Sequence, residues 1–309
     1  VVQSFRTQKH SGAMAVTSLQ PSLWQRRRGS AQPANLALQK YTSLQLIGRG
    51  STGKVYRAQR CSDAQVVALK LMTAMDDDML NCRRQEFEVL RGLSHPNIVQ
   101  GLEFFSFPGS AVVVLSYHPG STLTKAVQEA EGACLPEWQA QHLFCKLLSA
   151  IDYLHQRQIA HRDLKSDNVL VSEDVRELTL ADFSTASVAS AGESLTMTGT
   201  QEWSAPEVLD WEATPDEKND IWGAGLCLNF MLAGELPRRM VDFSSVRAFA
   251  DAARRDPTSF SGAKWKCLTP ACQMALTQCL MISKDHRPTA CAILQSMWCL
   301  STICPEDSH

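Results

Sequence analysis

Residues 159–171 read IAHRDLKSDNVLV: two apolar residues, a dense run of charged and polar ones, then a short apolar strand. Asp163 is placed to accept a proton from a hydroxyl nucleophile or to orient it. Lys165, two residues on, can neutralise charge on a phosphoryl group in transfer. Asn168 offers a neutral amide oxygen, a ligand suited to a hard cation such as Mg²⁺. Such a set has little purpose in a passive core, where every buried polar group needs a partner.

Downstream, a second apolar run, LTLAD (178–182), reads as a strand ending in Asp182, a carboxylate that suits the same cation. Upstream, YTSLQLIG, KVYRAQ and VVALKL read as strands, and AVVVLSY (111–117) as a buried one. The first two are joined by GRGSTG (48–53), whose glycines let backbone N–H groups come close to phosphates. In a dinucleotide-binding fold such a turn opens a helix; here a strand follows, and Val55 on it can cover an adenine ring. Lys70 lies among Val67, Ala68, Leu69 and Leu71, so its ammonium needs an anionic partner. The helix predicted over 75–93 offers Glu86 and Glu88, and Glu86, which shares a face with Leu90, is the inward one. Asp76, Asp77 and Asp78 read as a solvated helix entry favoured by the helix dipole.

The second half is mainly helical. In residues 139–156, Leu143, Phe144, Leu147, Leu148, Ile151 and Leu154 form one apolar stripe. DIWGAGLCLNFMLAGELP (220–237) is apolar nearly all round and reads as a central buried helix. Thr289 is a candidate N-cap for a last helix ending near Leu300. Strands first and helices after predict an α+β, bilobal molecule, with a ligand crevice between the lobes.

Composition excludes several other classes. The formal charge of −2, from 30 basic and 32 acidic residues among 309, points away from nucleic acid and anionic membranes. No apolar stretch approaches the roughly 18 residues of a spanning helix. The opening VVQSFRTQKHSG lacks the apolar core of a signal peptide, and a first residue Val1 is what a fragment would show. Residues 1–40 read as a mobile tail carrying a solvated basic patch, WQRRRGS, and residues 301–309 as a short C-terminal tail. Eleven cysteines, an odd number with no C-x-x-C, argue against a disulfide framework and a structural zinc. They are expected to be mostly buried thiols in a reducing compartment, the cytoplasm or nucleus.

Taken in order, GRGSTGKV, VALK, HRDLKSDN, ADFS (181–184), SAPE (204–207), DIWGAG (220–225) and HRPT (286–289) resemble the signature set of the eukaryotic protein kinase family. The resemblance implies a kinase domain over 41–300, with an N-lobe at 41–115 holding one helix, a hinge at 116–120 and a helical C-lobe at 121–300. It implies Mg²⁺–ATP as phosphoryl donor, protein serine or threonine as acceptor, and an upstream kinase as a further partner. Lys165 and TGTQEWSAPE suit the serine/threonine-specific class, with a lean toward Ste-like or Raf-like groups. By the same resemblance, Gly48, Gly50 and Gly53 cover the phosphates, and Lys70 contacts them while pairing with Glu86. Ile47, Val55, Ala68, the gatekeeper Leu115, the hinge residues Ser116, Tyr117 and His118, and Leu170 surround the adenine. Asp163 is the catalytic base with Lys165 beside it, and Asn168 and Asp182 bind Mg²⁺. Glu207 and Arg287 form a buried ion pair, and Asp220 holds the backbone of the His161–Asp163 turn. Arg162 implies control by activation-loop phosphorylation, with Thr196 the primary site, Ser194 and Thr198 next, and Thr200 bridging Asp163 and Lys165.

Two positions depart from the pattern. Ser184 stands where the family has glycine; a serine held in left-handed geometry would cost on the order of 1 kcal/mol, and in the β region almost nothing. Gly101 stands where many kinases carry a large apolar residue between the lobes, a gap that Leu102 can fill by a one-residue shift. Left empty, it would weaken a packing column through Leu90, Phe183 and His161 and favour a need for an activating partner. A pseudokinase-like ATP-binding scaffold is the alternative, but Lys70, Asp163 and Asp182 are all in place. A small-molecule kinase of the aminoglycoside or choline type would lack SAPE, DIWGAG and the segment joining them to Asp182.

Overall fold

Alternating apolar and polar residues from Tyr41 onward build a five-stranded antiparallel sheet of order β1-β2-β3-β5-β4. The strands are β1 (Tyr41–Gly50), β2 (Gly53–Arg60), β3 (Val66–Thr73), β4 (Gly101–Phe107) and β5 (Ser110–Ser116). The computed structural model describes residues 39–50, 53–74, 76–188, 201–209, 216–258 and 263–301. One sheet face packs Val67, Leu69, Val112 and Val114 against Tyr41, Ala58 and Phe107. The other carries Met72, Ala111 and Val113 under Phe87 of helix α1 (Asp77–Arg91). Asp76 caps that helix by accepting the Met79 N–H at 2.7 Å, with Asp77 and Asp78 in the first turn. The acidic run is therefore the helix entry that the sequence predicts.

Strand β4 is not marked by the alternation, because a bulge between Gly101 and Glu103 breaks its period. The bulge turns Leu102 onto the outer cluster with Tyr41 and Val114, so Leu102 does not fill the space beside Gly101. No such space exists. A Cβ on Gly101 would lie 3.1 Å from Leu90 Cβ, 3.3 Å from the Arg91 nitrogen and 3.3 Å from Phe87 Cε2. Helix α1 sits directly on the strand backbone, and the column of Leu90, Phe183 and His161 stays closed, with exposures of 3%, 1% and 0%. Gly101→Leu is expected to push α1 outward, destabilise the fold by about 1–3 kcal/mol and reduce activity with it. Thermal melting and ATP turnover measured side by side check this; an unchanged melting temperature would contradict it.

The larger lobe follows with the short strand β6 (Ser121–Thr122), α2 (Leu123–Glu129) and α3 (Glu137–His155). The predicted apolar stripe of α3 is fully buried, each of its six residues being 0% exposed. Strand β7 (Ile159–Ala160) pairs with β10 (Ser187–Val188), and β8 (Val169–Val171) with β6 and β9 (Leu178–Leu180). β9 ends two residues earlier than the sequence suggests, because Asp182 turns the backbone into the left-handed region at φ 59°. Next come α4 (Pro206–Leu209) and α5 (Glu217–Ala233), the central buried helix that the sequence predicts. Then follow α6 (Val246–Arg255), α7 (Ala263–Cys267), α8 (Pro270–Cys279), α9 (Ala290–Leu294) and α10 (Met297–Leu300). Thr289 does cap α9, but Ser296 breaks the predicted last helix by capping a separate α10. No helix among the described residues is long and apolar enough to cross a membrane.

The expectation that most cysteines are buried does not hold among the described residues: only Cys227, Cys272 and Cys279 are, four are half-buried, and Cys61, Cys82 and Cys267 are exposed. The exposed three lie in the β2–β3 turn and on the outer sides of helices, where no core contact recruits them.

Candidate active site

The site begins with a buried carboxylate. Asp220, on α5 and 0% exposed, accepts the His161 and Arg162 N–H groups at 2.8 Å each and the His155 ring at 3.0 Å. Burial works to raise its carboxyl pKa, but hydrogen bonding and charge from His155, then His161, outweigh it and hold it below the ordinary value. Those bonds fix the turn at Arg162, whose φ of 68° lies in the left-handed region. Strain of this kind persists only where the surroundings over-determine it. The role expected of Asp220 is therefore visible in the geometry. The His155 contact is not read from the sequence; its only signal is a histidine at the C-terminal end of α3, six residues before His161.

Beyond the turn, Asp163 is 9% exposed and bonded from two directions. Lys165 Nζ donates to its Oδ2 at 2.6 Å, and Asn168 Nδ2 donates to its backbone oxygen at 2.7 Å and to Oδ2 at 3.1 Å. The three residues singled out in the opening stretch thus form one cluster, and the two bonds to Asp163 set which way the Asn168 amide faces. Thr185 Oγ1 closes the turn from the other side, donating to the His161 carbonyl at 2.9 Å.

The second cluster crosses between the lobes. Lys70 Nζ lies 2.6 Å from Asp182 Oδ1 and 3.7 Å from Glu86 Oε1, with Lys70 7% exposed. Glu86 is the inward acid, as the helix pattern predicts, yet Lys70 sits closer to Asp182. Burial would raise the Asp182 carboxyl, but the Lys70 charge and hydrogen bond overcome it and hold it below the carboxylate range. The Glu86 carboxyl is pushed up, mainly by burial, despite Lys70 and Arg83. An acid whose folded pKa is raised weakens the fold as pH rises past its unfolded value, about 4.3. Glu86→Gln is accordingly expected to keep or raise the melting temperature at pH 7, while costing up to about 100-fold in kcat/KM through a misplaced Lys70. A lower melting temperature together with full activity would contradict this.

Below the lysine, Phe183 is buried edge-on against His161 at 4.9 Å, and the Ser184 N–H donates to Asp182 Oδ1 at 3.4 Å. The left-handed residue is Asp182; Ser184 is not among the residues of positive φ, so its side chain carries no backbone strain. Ser184→Gly is expected to leave catalysis essentially unchanged and to cost about 0.5–1 kcal/mol of stability through a freer unfolded chain. Steady-state rates and melting temperatures of the pair check it, and a large gain in rate would contradict it.

The glycine turn and adenine wall complete the cleft. Gly53 has φ 151°, and a Cβ there would meet the Leu71 carbonyl at 2.0 Å, so the sheet itself demands glycine. Around Gly50 nothing lies within 4 Å, and Gly48 meets only Val55, leaving both open to a ligand. Cross-strand pairs Val55–Lys70 and Ala68–Leu115 put these residues on one sheet face. Ile47 is 46% exposed at its rim, and Leu170 is half-buried on β8. At the hinge, Ser116 exchanges hydrogen bonds with Gln100, and Arg57 stacks over the Tyr117 ring at 5.5 Å. His118 follows, half-buried, its pKa lowered chiefly by burial. Glu207 and Arg287 form a two-pronged pair at 2.6 and 2.8 Å. Thr196, Ser194, Thr198 and Thr200 lie outside the described residues, as do Ser51 and Thr52 at the glycine tip.

For Mg²⁺ the chain offers one carboxylate, Asp182, and one amide oxygen, Asn168. No cluster of three or more His, Cys, Asp or Glu among the described residues suits a metal. Two oxygen ligands from protein, with phosphates and water for the rest, is the way Mg²⁺ is commonly held beside a nucleotide, so the donor set fits.

Comparison with known proteins agrees with this geometry. The chain is 37% identical to serine/threonine-protein kinase 36 of Pongo abelii over 205 residues, 65% of this chain and 15% of that protein. It is 34% identical to CBL-interacting protein kinase 10 of Oryza sativa subsp. japonica over 215 residues, 67% of this chain and 46% of that protein. With the carbon catabolite-derepressing protein kinase of Candida tropicalis it shares 29% identity over 273 residues, 87% of this chain and 42% of that one. The chain thus spans less than half the length of each of these relatives. The family model described as protein kinase domain matches residues 41–299, most of the sequence, and the chain belongs to that family.

Proposed function

We propose that the chain is a serine/threonine protein kinase, moving the γ-phosphoryl group of ATP to a protein hydroxyl with Mg²⁺. The observation that carries this is the pair of clusters on one cleft: Lys70 bridging Glu86 and Asp182, and Asp163 held by Lys165 and Asn168. Phosphoryl transfer passes through a loose transition state, so positioning and charge stabilisation do most of the work. In this reading Lys70 draws the α- and β-phosphates into the cleft beneath Gly48, Gly50 and Gly53. Asp163 orients the acceptor hydroxyl and takes its proton, and Lys165 offsets negative charge on the moving group. Asp182 and Asn168 would hold the Mg²⁺, which when bound neutralises phosphate charge. Serine/threonine specificity is supported by Lys165 and by the names of the relatives.

Regulation belongs to the same proposal. Arg162 adjoins Asp163, and a phosphate placed on Thr196 by an upstream kinase would pair with its guanidinium and order the activation segment. A reducing compartment, the cytoplasm or nucleus, suits cysteines that are free thiols throughout the described residues.

The test is thermal stabilisation with and without Mg²⁺. At ATP concentrations about 100-fold above Kd, ligand linkage raises stability by about 2.7 kcal/mol. A shift that needs both ATP and Mg²⁺, with label appearing on serine or threonine of an acceptor protein, supports the reading. Stabilisation without transfer at any phosphorylation state, or no stabilisation, would overturn it.

A further inference from the structure

Helix α3 does more than fill the core. Four of its residues at helical spacing, Glu137, Gln141, Phe144 and Cys145, form the seat of the last helix, α10. Glu137 Oε1 accepts the Trp298 indole N–H at 2.9 Å. Gln141 Nε2 donates to the carbonyls of Trp298 and Ser301. The Phe144 ring lies 5.8 Å from that of Trp298, which is 1% exposed. At the end of this row Cys145 Sγ donates to the Cys299 carbonyl oxygen at 3.9 Å, which sets the two cysteines side by side across the α3–α10 contact. Both are partly exposed, whereas Cys272 and Cys279 on α8 are sealed at 0%.

The neighbouring Cys145 thiol is the main reason why the Cys299 thiol is lowered to about 7, with help from Ser296 and against its burial. The same neighbourhood, with burial, pushes the Cys145 thiol up. The two sulfurs are unequal: one is ready to react as thiolate near neutral pH, and the other holds its proton.

We propose that Cys299 is a peroxide-reactive thiol and Cys145 its resolving partner, closing to a disulfide that fastens α10 to α3. In the first step the Cys299 thiolate attacks one oxygen of hydrogen peroxide, the O–O bond breaks, and hydroxide leaves a sulfenic acid on Cys299. In the second, the Cys145 sulfur attacks the Cys299 sulfur, the S–O bond breaks, and the departing hydroxyl takes the Cys145 proton as water. Two thiols lose two electrons to one peroxide, which ends as two waters. The contacts that seat α10 hold the Cys145 sulfur against the Cys299 backbone, so closure calls for side-chain rotation rather than a rearrangement of the helices. Reversible chemistry of this kind is the usual use of disulfides in a reducing compartment.

The test uses the full chain with equimolar hydrogen peroxide at pH 7, quenching with N-ethylmaleimide and peptide mapping without reduction. The expected product is a Cys145–Cys299 cross-linked peptide, accompanied by a melting temperature about 5 °C higher that dithiothreitol reverses. Cys145→Ser should instead trap Cys299 as a sulfenic acid that dimedone captures, and Cys299→Ser should leave Cys145 unmodified at the same dose. A link from Cys299 to Cys272 or Cys279, or oxidation of Cys299 no faster than that of exposed Cys61 and Cys82, would overturn the assignment. The mapping on the unsubstituted chain decides the matter even if a variant folds poorly.

Discussion

Asp163→Asn is expected to bind Mg²⁺–ATP with little change and to transfer phosphate about 10²–10⁴-fold more slowly. The amide matches the carboxylate in size, so the geometry set by Lys165 and Asn168 can persist around it. What is lost is the ability to take a proton from the attacking hydroxyl, along with the negative charge that balances Lys165. Nucleotide affinity rests on other residues, Lys70, Asp182 and the glycine turn, so the loss falls on kcat rather than on the KM for ATP. Single-turnover rates and nucleotide titrations of the two proteins check this. A residual rate within about tenfold of the unsubstituted chain would remove Asp163 from the role of general base.

The largest effect on stability is expected at Arg287. Its side chain is 0% exposed; it reaches both oxygens of Glu207 and donates to the carbonyls of Met281, Lys218 and Ile282. Breaking such a pair from one side leaves a carboxylate without its cation and three carbonyls short of a donor. Arg287→Met is therefore expected to cost about 3–5 kcal/mol. The double variant Glu207→Leu with Arg287→Met should recover part of that loss, because it removes the stranded charge as well. Chemical denaturation of the single and double variants measures both numbers. Additive losses would show that the pair itself contributes little and that the carbonyl contacts carry the effect.

Much of this molecule is legible in its sequence, for identifiable reasons. Four of the five N-lobe strands are legible, β1 from its alternation and β3 and β5 as short apolar runs, because the latter two are buried on both faces. Strand β4 is missed, since Gly101 and the bulge after it break the period just where helix α1 presses on the backbone. The chemistry of the site is readable because charged residues beside apolar runs need partners: Lys70 has its two acids, and Asp163 has Lys165 and Asn168. The pattern does not reveal which acid lies nearer to Lys70. That depends on the left-handed turn at Asp182, fixed by packing of Phe183 and His161 rather than by local propensity. The same holds for Ser184, whose effect turns on one backbone angle. The thiol pair is a tertiary fact: residues 154 positions apart meet only because α10 is seated on α3.

The kinase assignment is measured most directly by transfer of γ-labelled phosphate from ATP to a protein acceptor with Mg²⁺, followed by acid hydrolysis and identification of the labelled amino acid. The expected result is label on phosphoserine or phosphothreonine, dependent on Mg²⁺ and slowed about 10²–10⁴-fold in Asp163→Asn. Label on phosphotyrosine, or label that appears in the Asp163→Asn protein at an undiminished rate, would overturn the assignment.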